Sequence, residues 1–161
     1  MFLDSGKTGK ELNYKKFVVN SRLQYFKPHA TKIEQSFGEE VAHSLTQEPK
    51  FLSPKFFYDK NGSCLFEQIC DLDEYYLART EISILKDIQK ELESFITNSF
   101  RLVEFGSGSS VKTRLVLDVL DKNLDKIEYI PIDISEILTE TSKSLLGNYE
   151  NLSVTGIINT Y

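Results

Sequence analysis

The chain has 161 residues, of which 40% are hydrophobic and 27% are charged, and its formal net charge is -5. This length and composition suit one globular domain with a helical annex. The negative charge argues against a nucleic-acid partner, and no apolar run approaches the roughly 18 residues of a membrane span. Because the N-terminus also lacks the apolar core of a signal peptide, we expect a cytoplasmic protein that binds neither nucleic acid nor membrane.

The cysteines and histidines do not form a metal-binding pattern. Cys64 and Cys70 are six residues apart, and His29 and His43 have no ligand-like partner nearby in the sequence. The cysteine spacing matches neither C-x-x-C nor a zinc motif. We therefore predict no metal site and two reduced cysteines.

Residues 1–98 are predicted to form a helical N-terminal substrate or cap subdomain, with residues 1–30 partly irregular. Apolar residues recur at helical spacing in "ATKIEQSFGEEVAHSL", "CLFEQICDL" and "EISILKDIQKELESFITNSF". "KKFVVNSRL" could form a short strand or an arm instead. An Asn61-Gly62 turn and an N-cap at Ser63 are expected before the second helix, and Thr80 and Glu81 are expected to open a long third helix.

Residues 99–161 alternate between short apolar strands and amphipathic helices. The strands are "RLVEF", "IEYIPIDI" and "NLSVTGIINTY", and the helices are "SVKTRLVLDVLDKN" and "SEILTETSKSLLGNY". This β-α-β-α-β order with short joints implies parallel strands and right-handed crossovers. The expected fold class is α/β: an incomplete Rossmann-like sheet of three parallel strands in the order 3-2-1, whose first strand lies at an exposed edge.

The segment "EFGSGSSVKTR" is the strongest candidate for a ligand site. Gly106, Ser107 and Gly108 follow a predicted strand and open a predicted helix, where glycine lets a ligand approach the backbone. Asp133 ends the second strand, where a carboxylate can accept hydrogen bonds from the vicinal hydroxyls of a ribose. Val111 replaces the third glycine of the dinucleotide fingerprint, which favours S-adenosylmethionine over NAD. The alternative is that the glycines only form the turn and that Asp133 only caps the next helix.

Several uncommon blocks then point to one family. "FFYDKNGSCLF", "EYYLARTE" and "EFGSGSSVKTR", followed by "YIPIDIS", resemble the histidine-specific S-adenosylmethionine-dependent methyltransferases. That family includes the ergothioneine-pathway enzyme that methylates the α-amino group of histidine, and fungal relatives that act on other amines. The resemblance runs from about Pro49 to Tyr161.

The resemblance implies a cofactor, S-adenosylmethionine, and a role for individual residues. Lys112 would reach the methionine carboxylate, and Tyr75 would line the amino-acid pocket and hydrogen-bond the amine. Arg79, Thr80 and Glu81 would shape the lid around that pocket. The implied cofactor-binding residues are Gly106, Ser107, Gly108, Lys112, Asp133, Thr160 and Tyr161, and no catalytic nucleophile is implied. The alternative for Tyr75 is a core aromatic residue whose hydroxyl is bonded locally.

Thr160 and Tyr161 stand where the family has an Asp-aromatic pair that contacts adenine. Thr160 can hydrogen-bond but supplies no carboxylate, whereas Tyr161 keeps an aromatic ring there.

The expected function is N-methylation of the α-amino group of an amino acid, with histidine as the first candidate, by the N-terminal half of such an enzyme. The family's remaining strands and substrate residues do not occur in this sequence. Two alternatives stay open: a degenerate or standalone cofactor-binding or interaction module without catalysis, and one subunit of a split enzyme. The expected partners are a small amino-acid substrate and a second chain, or the missing C-terminal half, paired with the first strand.

Overall fold

The computed structural model describes residues 14–29, 36–96, 100–135 and 137–159. The strands in these ranges are β1 (Tyr14–Asn20), β2 (Leu23–Pro28), β3 (Arg101–Phe105), β4 (Ile127–Asp133) and β5 (Leu152–Ile158). The α-helices are α1 (Phe37–Leu45), α2 (Lys60–Cys70), α3 (Tyr76–Asp87), α4 (Gln89–Phe95), α5 (Val111–Asn123) and α6 (Ile137–Asn148), with a 3-10 helix at Pro54–Phe57. The predicted α/β class is confirmed.

The strands form one sheet in the order β1-β2-β5-β4-β3. Strands β3, β4 and β5 are parallel to their neighbours, as helical crossovers require. In β4 and β5 every second residue is buried, because α5 and α6 pack against that face of the sheet. The core formed there includes Leu23, Leu117, Leu120, Ile127, Tyr129, Leu145, Leu152 and Val154. Within the described part of the chain, β3 is the edge strand next to β4.

Residues 14–28 form a hairpin that extends the sheet, so the short-strand alternative for "KKFVVNSRL" is confirmed in β1, whereas the prediction of irregular structure was wrong for this stretch. Strand β1 pairs antiparallel with β2, and β2 pairs in parallel with β5. The hairpin carries few buried apolar residues, with Leu23 buried at 1% exposure, so its sequence gives little periodic signal. Pairing with β5 stabilises it, and so does Arg22, whose guanidinium donates to the carbonyls of Leu146 at 3.1 Å and Tyr149 at 2.9 Å.

Helix α2 begins earlier than the sequence suggested. Asp59, not Ser63, is the N-cap, and its side chain accepts a hydrogen bond from the Gly62 N–H at 2.7 Å. Asn61 and Gly62 therefore lie inside the helix rather than in a turn. A β-carbon at Gly62 would overlap the carbonyl oxygen of Phe57, so glycine is needed here for close packing.

The predicted long third helix begins at Tyr76, so Thr80 and Glu81 lie inside it rather than at its start. It is also two helices, α3 and α4, because the backbone of Ile88 leaves helical geometry at φ -87° and ψ 1°. The first predicted helix, α1, is confirmed from Phe37 onward. A capping box between Ser36 and Glu39 fixes its start. Residues 30–35 of that prediction lie outside the described residues.

Three further properties concern metals, thiols and membranes. Cys64 is exposed, Cys70 is partly buried, and both are free thiols. Among the residues that the structure describes, no three His, Cys, Asp or Glu side chains converge as a metal ion would require. None of the described helices combines the length and the apolar character needed to cross a membrane.

Candidate functional site

The loop between β3 and α5 has a backbone that is open to a ligand. Gly106 and Gly108 adopt left-handed conformations, with φ of 68° and 47°, and so does Ser110 at φ 59°. The Gly106 N–H donates to the carbonyl of Ile132 at 2.8 Å, which ties the start of the loop to β4. Apart from Gly108 and its two chain neighbours, none of the described residues has a heavy atom within 4 Å of the place that a β-carbon on Gly108 would occupy. The loop therefore presents bare backbone at the carboxyl ends of two parallel strands, where ligands bind in such sheets.

Asp133 fixes this loop. The residue is 6% exposed, and its carboxylate accepts hydrogen bonds from the Gly108 N–H at 3.1 Å, the Ser107 hydroxyl at 3.4 Å and the Ser135 N–H at 2.8 Å. A carboxylate offers about four acceptor positions, so roughly one remains free. Asp133 has more than a capping role, because it joins the loops that follow β3 and β4.

A buried network under the loop was not anticipated from the sequence. Glu104 accepts hydrogen bonds from the Tyr129 hydroxyl at 2.6 Å and the Thr113 hydroxyl at 2.8 Å. Burial, together with the charge of Glu104, raises the pKa of Tyr129 well above its ordinary value. The network anchors the first turn of α5 to β3 and β4. The available signal was an acidic residue inside an otherwise apolar strand, directly before the glycines.

A cleft of about 580 Å³ lies between the glycine loop and α2. This volume is in the range of small-molecule sites. One side carries Gly106, Gly108 and Asp133, and the other carries aromatic side chains that sequence reasoning had not assigned to a site. These aromatic residues are Phe57, Tyr58 and Phe66. The cleft thus combines a polar, backbone-rich side with an apolar wall.

A second cleft, of about 290 Å³, adjoins the first and is lined by residues of α3 and α5. Tyr75 stands at the N-cap of α3, and its ring lies edge-to-face against Phe66 with the centroids 6.0 Å apart. Arg79 donates to the carbonyls of Leu72 at 2.6 Å and Asp73 at 2.7 Å, which fixes the turn before Tyr75.

Lys112 and Glu81 form an ion pair in this second cleft, with 2.7 Å between Nζ and Oε2. Lys112 lines both clefts, as do Gly106 and Gly108. The structure therefore brings Tyr75, Lys112, Asp133 and the glycine loop to one region. Thr160 and Tyr161 lie outside the described residues.

Comparison with known proteins identifies a family for this site. The family described as "Histidine-specific methyltransferase, SAM-dependent" matches residues 37–161. A histidine N-alpha-methyltransferase of Mycobacterium tuberculosis is 36% identical over 135 residues, which cover 78% of this chain and 42% of that protein.

Two fungal proteins are also similar. Ergothioneine biosynthesis protein 1 of Neurospora crassa is 34% identical over 70% of this chain and 13% of its own length. N-methyltransferase dtpB of Aspergillus flavus is 26% identical over 81% of this chain and 38% of its own length. The chain thus spans less than half the length of these curated relatives. The match over residues 37–161 covers most of the chain, including the glycine loop and both clefts, and the chain belongs to the histidine-specific, S-adenosylmethionine-dependent methyltransferase family.

Proposed function

We propose that this chain is the cofactor-binding part of an S-adenosylmethionine-dependent N-methyltransferase that acts on the α-amino group of an amino acid, with histidine as the first candidate. The observation that carries the proposal is the left-handed glycine loop, held by Asp133 beside the 580 Å³ cleft. The names of the relatives support N-methylation and, for the mycobacterial protein, histidine. In this proposal β3, β4 and β5 are the first strands of a Rossmann-like sheet.

The residues of the larger cleft suit the nucleoside of the cofactor. Asp133 has about one free acceptor position, and a ribose hydroxyl could replace the long 3.4 Å bond from Ser107 to give a second. The aromatic wall offers apolar surface to the adenine and to the carbon atoms around the sulfonium. Thr160 and Tyr161 are proposed to contact the adenine edge.

When bound, the cofactor would supply a methyl group on a sulfonium sulfur. The amine nitrogen would bond to that methyl carbon as the methyl–sulfur bond breaks, with S-adenosylhomocysteine as the leaving group, so the protein needs no covalent nucleophile. The task of this chain is to bind and orient. Tyr75 is proposed to hydrogen-bond the acceptor amine, and Arg79 keeps Tyr75 in place by holding the turn before α3. The amine must be unprotonated to react.

Titration calorimetry with S-adenosylmethionine and S-adenosylhomocysteine tests the binding part of the proposal. Asp133→Asn should weaken binding by about 1–3 kcal/mol, because a charged acceptor of hydrogen bonds is lost. Asp125→Asn is the matched control, since Asp125 is exposed and precedes β4, at the amino end of the strand whose carboxyl end carries Asp133. Absence of binding at millimolar ligand, or equal weakening by both variants, would contradict the proposal.

Mass spectrometry of the products tests the acceptor. Histidine incubated with S-adenosylmethionine and the chain together with the remaining part of the enzyme should gain methyl groups, and Nα-acetylhistidine should not, because its α-amine is blocked. Methylation of both compounds would place the reaction on the imidazole and refute the assignment of the α-amine.

One observation favours a second candidate, an interaction module without catalysis. Val103 of the edge strand β3 is 48% exposed, so the strand can accept a neighbour. If this candidate is right, the chain associates in analytical ultracentrifugation, and Val103→Lys, which adds a charge to the edge, abolishes the association. A monomer that binds the cofactor would rule this candidate out.

A further inference from the structure

The ion pair in the smaller cleft is accessible and is not needed to hold the fold. Glu81 comes from α3 and Lys112 from α5, and their side chains are 54% and 43% exposed. Helix α5 is already anchored by the core residues Leu117 and Leu120 and by the bond from Thr113 to Glu104. Exposed ion pairs contribute little to stability, so this one can open for a ligand at small cost.

We propose that Glu81 binds the α-ammonium at the amino-acid end of the cofactor, beside Lys112, whose donation to the carboxylate of that end is what the family resemblance implies. A ligand that carries an ammonium and a carboxylate on one carbon places opposite charges about as close together as they are in this pair. When the ligand lies antiparallel to the pair, its ammonium meets the Glu81 carboxylate and its carboxylate meets the Lys112 ammonium. The inference rests on the proposed function and adds Glu81 as a residue that determines ligand specificity.

The arrangement singles out Glu81 among the acidic residues of this cleft. Glu67 and Asp71 of the α2 region also line it, but Lys112 is hydrogen-bonded to Glu81. The other cation, Arg79, already donates to two backbone carbonyls. Glu81 and Lys112 are therefore the pair that can open toward a zwitterion.

The chemistry assigns this pair to the cofactor rather than to the acceptor amino acid. A carboxylate beside an amine favours the protonated, unreactive form. The cofactor's ammonium is not methylated, so its protonation is harmless, whereas the acceptor amine must lose its proton. Because Lys112 lines both clefts, it can reach the amino-acid end of a ligand whose nucleoside lies beside Asp133.

A binding titration of the 161-residue chain with three ligands of different charge distinguishes the contribution of Glu81 from that of Lys112. S-adenosylhomocysteine has both charges, its decarboxylated analogue has only the ammonium, and 5′-methylthioadenosine has neither. Glu81→Gln should lower the affinity for S-adenosylhomocysteine and for its decarboxylated analogue on the order of tenfold, and should leave the affinity for 5′-methylthioadenosine unchanged. Lys112→Gln should weaken only S-adenosylhomocysteine. Glu91→Gln of α4 is the matched control, since Glu91 is exposed and lines neither cleft, and it should change none of the three affinities.

A charge swap separates recognition from structural support. The double variant Glu81→Lys with Lys112→Glu keeps an ion pair between α3 and α5 but reverses its polarity. We expect it to bind 5′-methylthioadenosine normally and S-adenosylhomocysteine no better than either single variant does. If Glu81→Gln binds S-adenosylhomocysteine with wild-type affinity, or binds all three ligands equally less tightly, the inference about Glu81 is overturned while the proposed function stands. Failure of the wild-type chain to bind any of them would overturn the proposed function itself.

Discussion

Replacing Tyr129 with phenylalanine removes one hydroxyl from the network under the glycine loop and keeps the ring in the core. The lost hydrogen bond is 2.6 Å long and ends on the Glu104 carboxylate. Tyr129 is 1% exposed, so water cannot take the place of the hydroxyl. A buried hydrogen bond to a charged group contributes about 1.5–3 kcal/mol, so Tyr129→Phe should lower the free energy of unfolding by about that amount.

Urea denaturation followed by circular dichroism measures this difference, with Tyr25→Phe as the control. The Tyr25 ring stacks on Phe17 with the centroids 5.0 Å apart, and none of the hydrogen bonds among the described residues ends on its hydroxyl. The control should therefore change stability by less than about 0.5 kcal/mol. Equal small losses for the two variants would mean that the Glu104 network does not hold the loop.

Three further predictions concern packing, capping and titration. Gly62→Ala should cost about 1–3 kcal/mol in urea denaturation, because its methyl group would overlap the Phe57 carbonyl, whereas Gly38→Ala has open space in α1 and should gain up to about 1 kcal/mol. Arg22→Lys should lower the melting temperature, since a single ammonium cannot replace a guanidinium that spans carbonyls of the last turn of α6 and of the residues after it. Burial, with the Asp118 carboxylate, raises the pKa of Tyr149 from 10.0 to about 12. Its unfolded form therefore ionises first, and the wild type should lose more stability than Tyr149→Phe as the pH rises from 10 to 12.

Each of these predictions can fail clearly. A neutral Gly62→Ala would show that α2 can move away from the 3-10 helix. An unchanged melting temperature for Arg22→Lys would show that the Arg22 guanidinium does not stabilise the hairpin. Parallel stability curves for the wild type and Tyr149→Phe above pH 10 would show that the phenol titrates alike in the folded and unfolded states.

Local patterns made the α/β part of the chain predictable. Strands β4 and β5 bury alternate residues, and α5 carries its apolar residues at helical spacing, so the periodicities appear in the sequence itself. The glycine loop was predictable because Gly106 and Gly108 take left-handed conformations that favour glycine. Asp133 followed from its place at the end of a strand.

The remaining features depend on contacts between distant residues. The sequence offered a short strand in "KKFVVNSRL" only as an alternative and did not predict the hairpin, because its polar, half-exposed strands are stabilised by pairing with β5 and by Arg22. The cap of α2 was misplaced because Ser63 is an equally good local signal, and only the approach of Phe57 explains Gly62. The Lys112–Glu81 pair joins residues 31 positions apart, which no local pattern encodes.

The central claim is that Asp133 and the glycine loop bind the nucleoside of the cofactor. A crystal structure of the chain with S-adenosylhomocysteine tests it most directly. The account predicts that at least one ribose hydroxyl lies within hydrogen-bonding distance of the Asp133 carboxylate, with the Ser107 bond displaced. A nucleoside bound away from residues 106–108, with all three Asp133 hydrogen bonds intact, would contradict it.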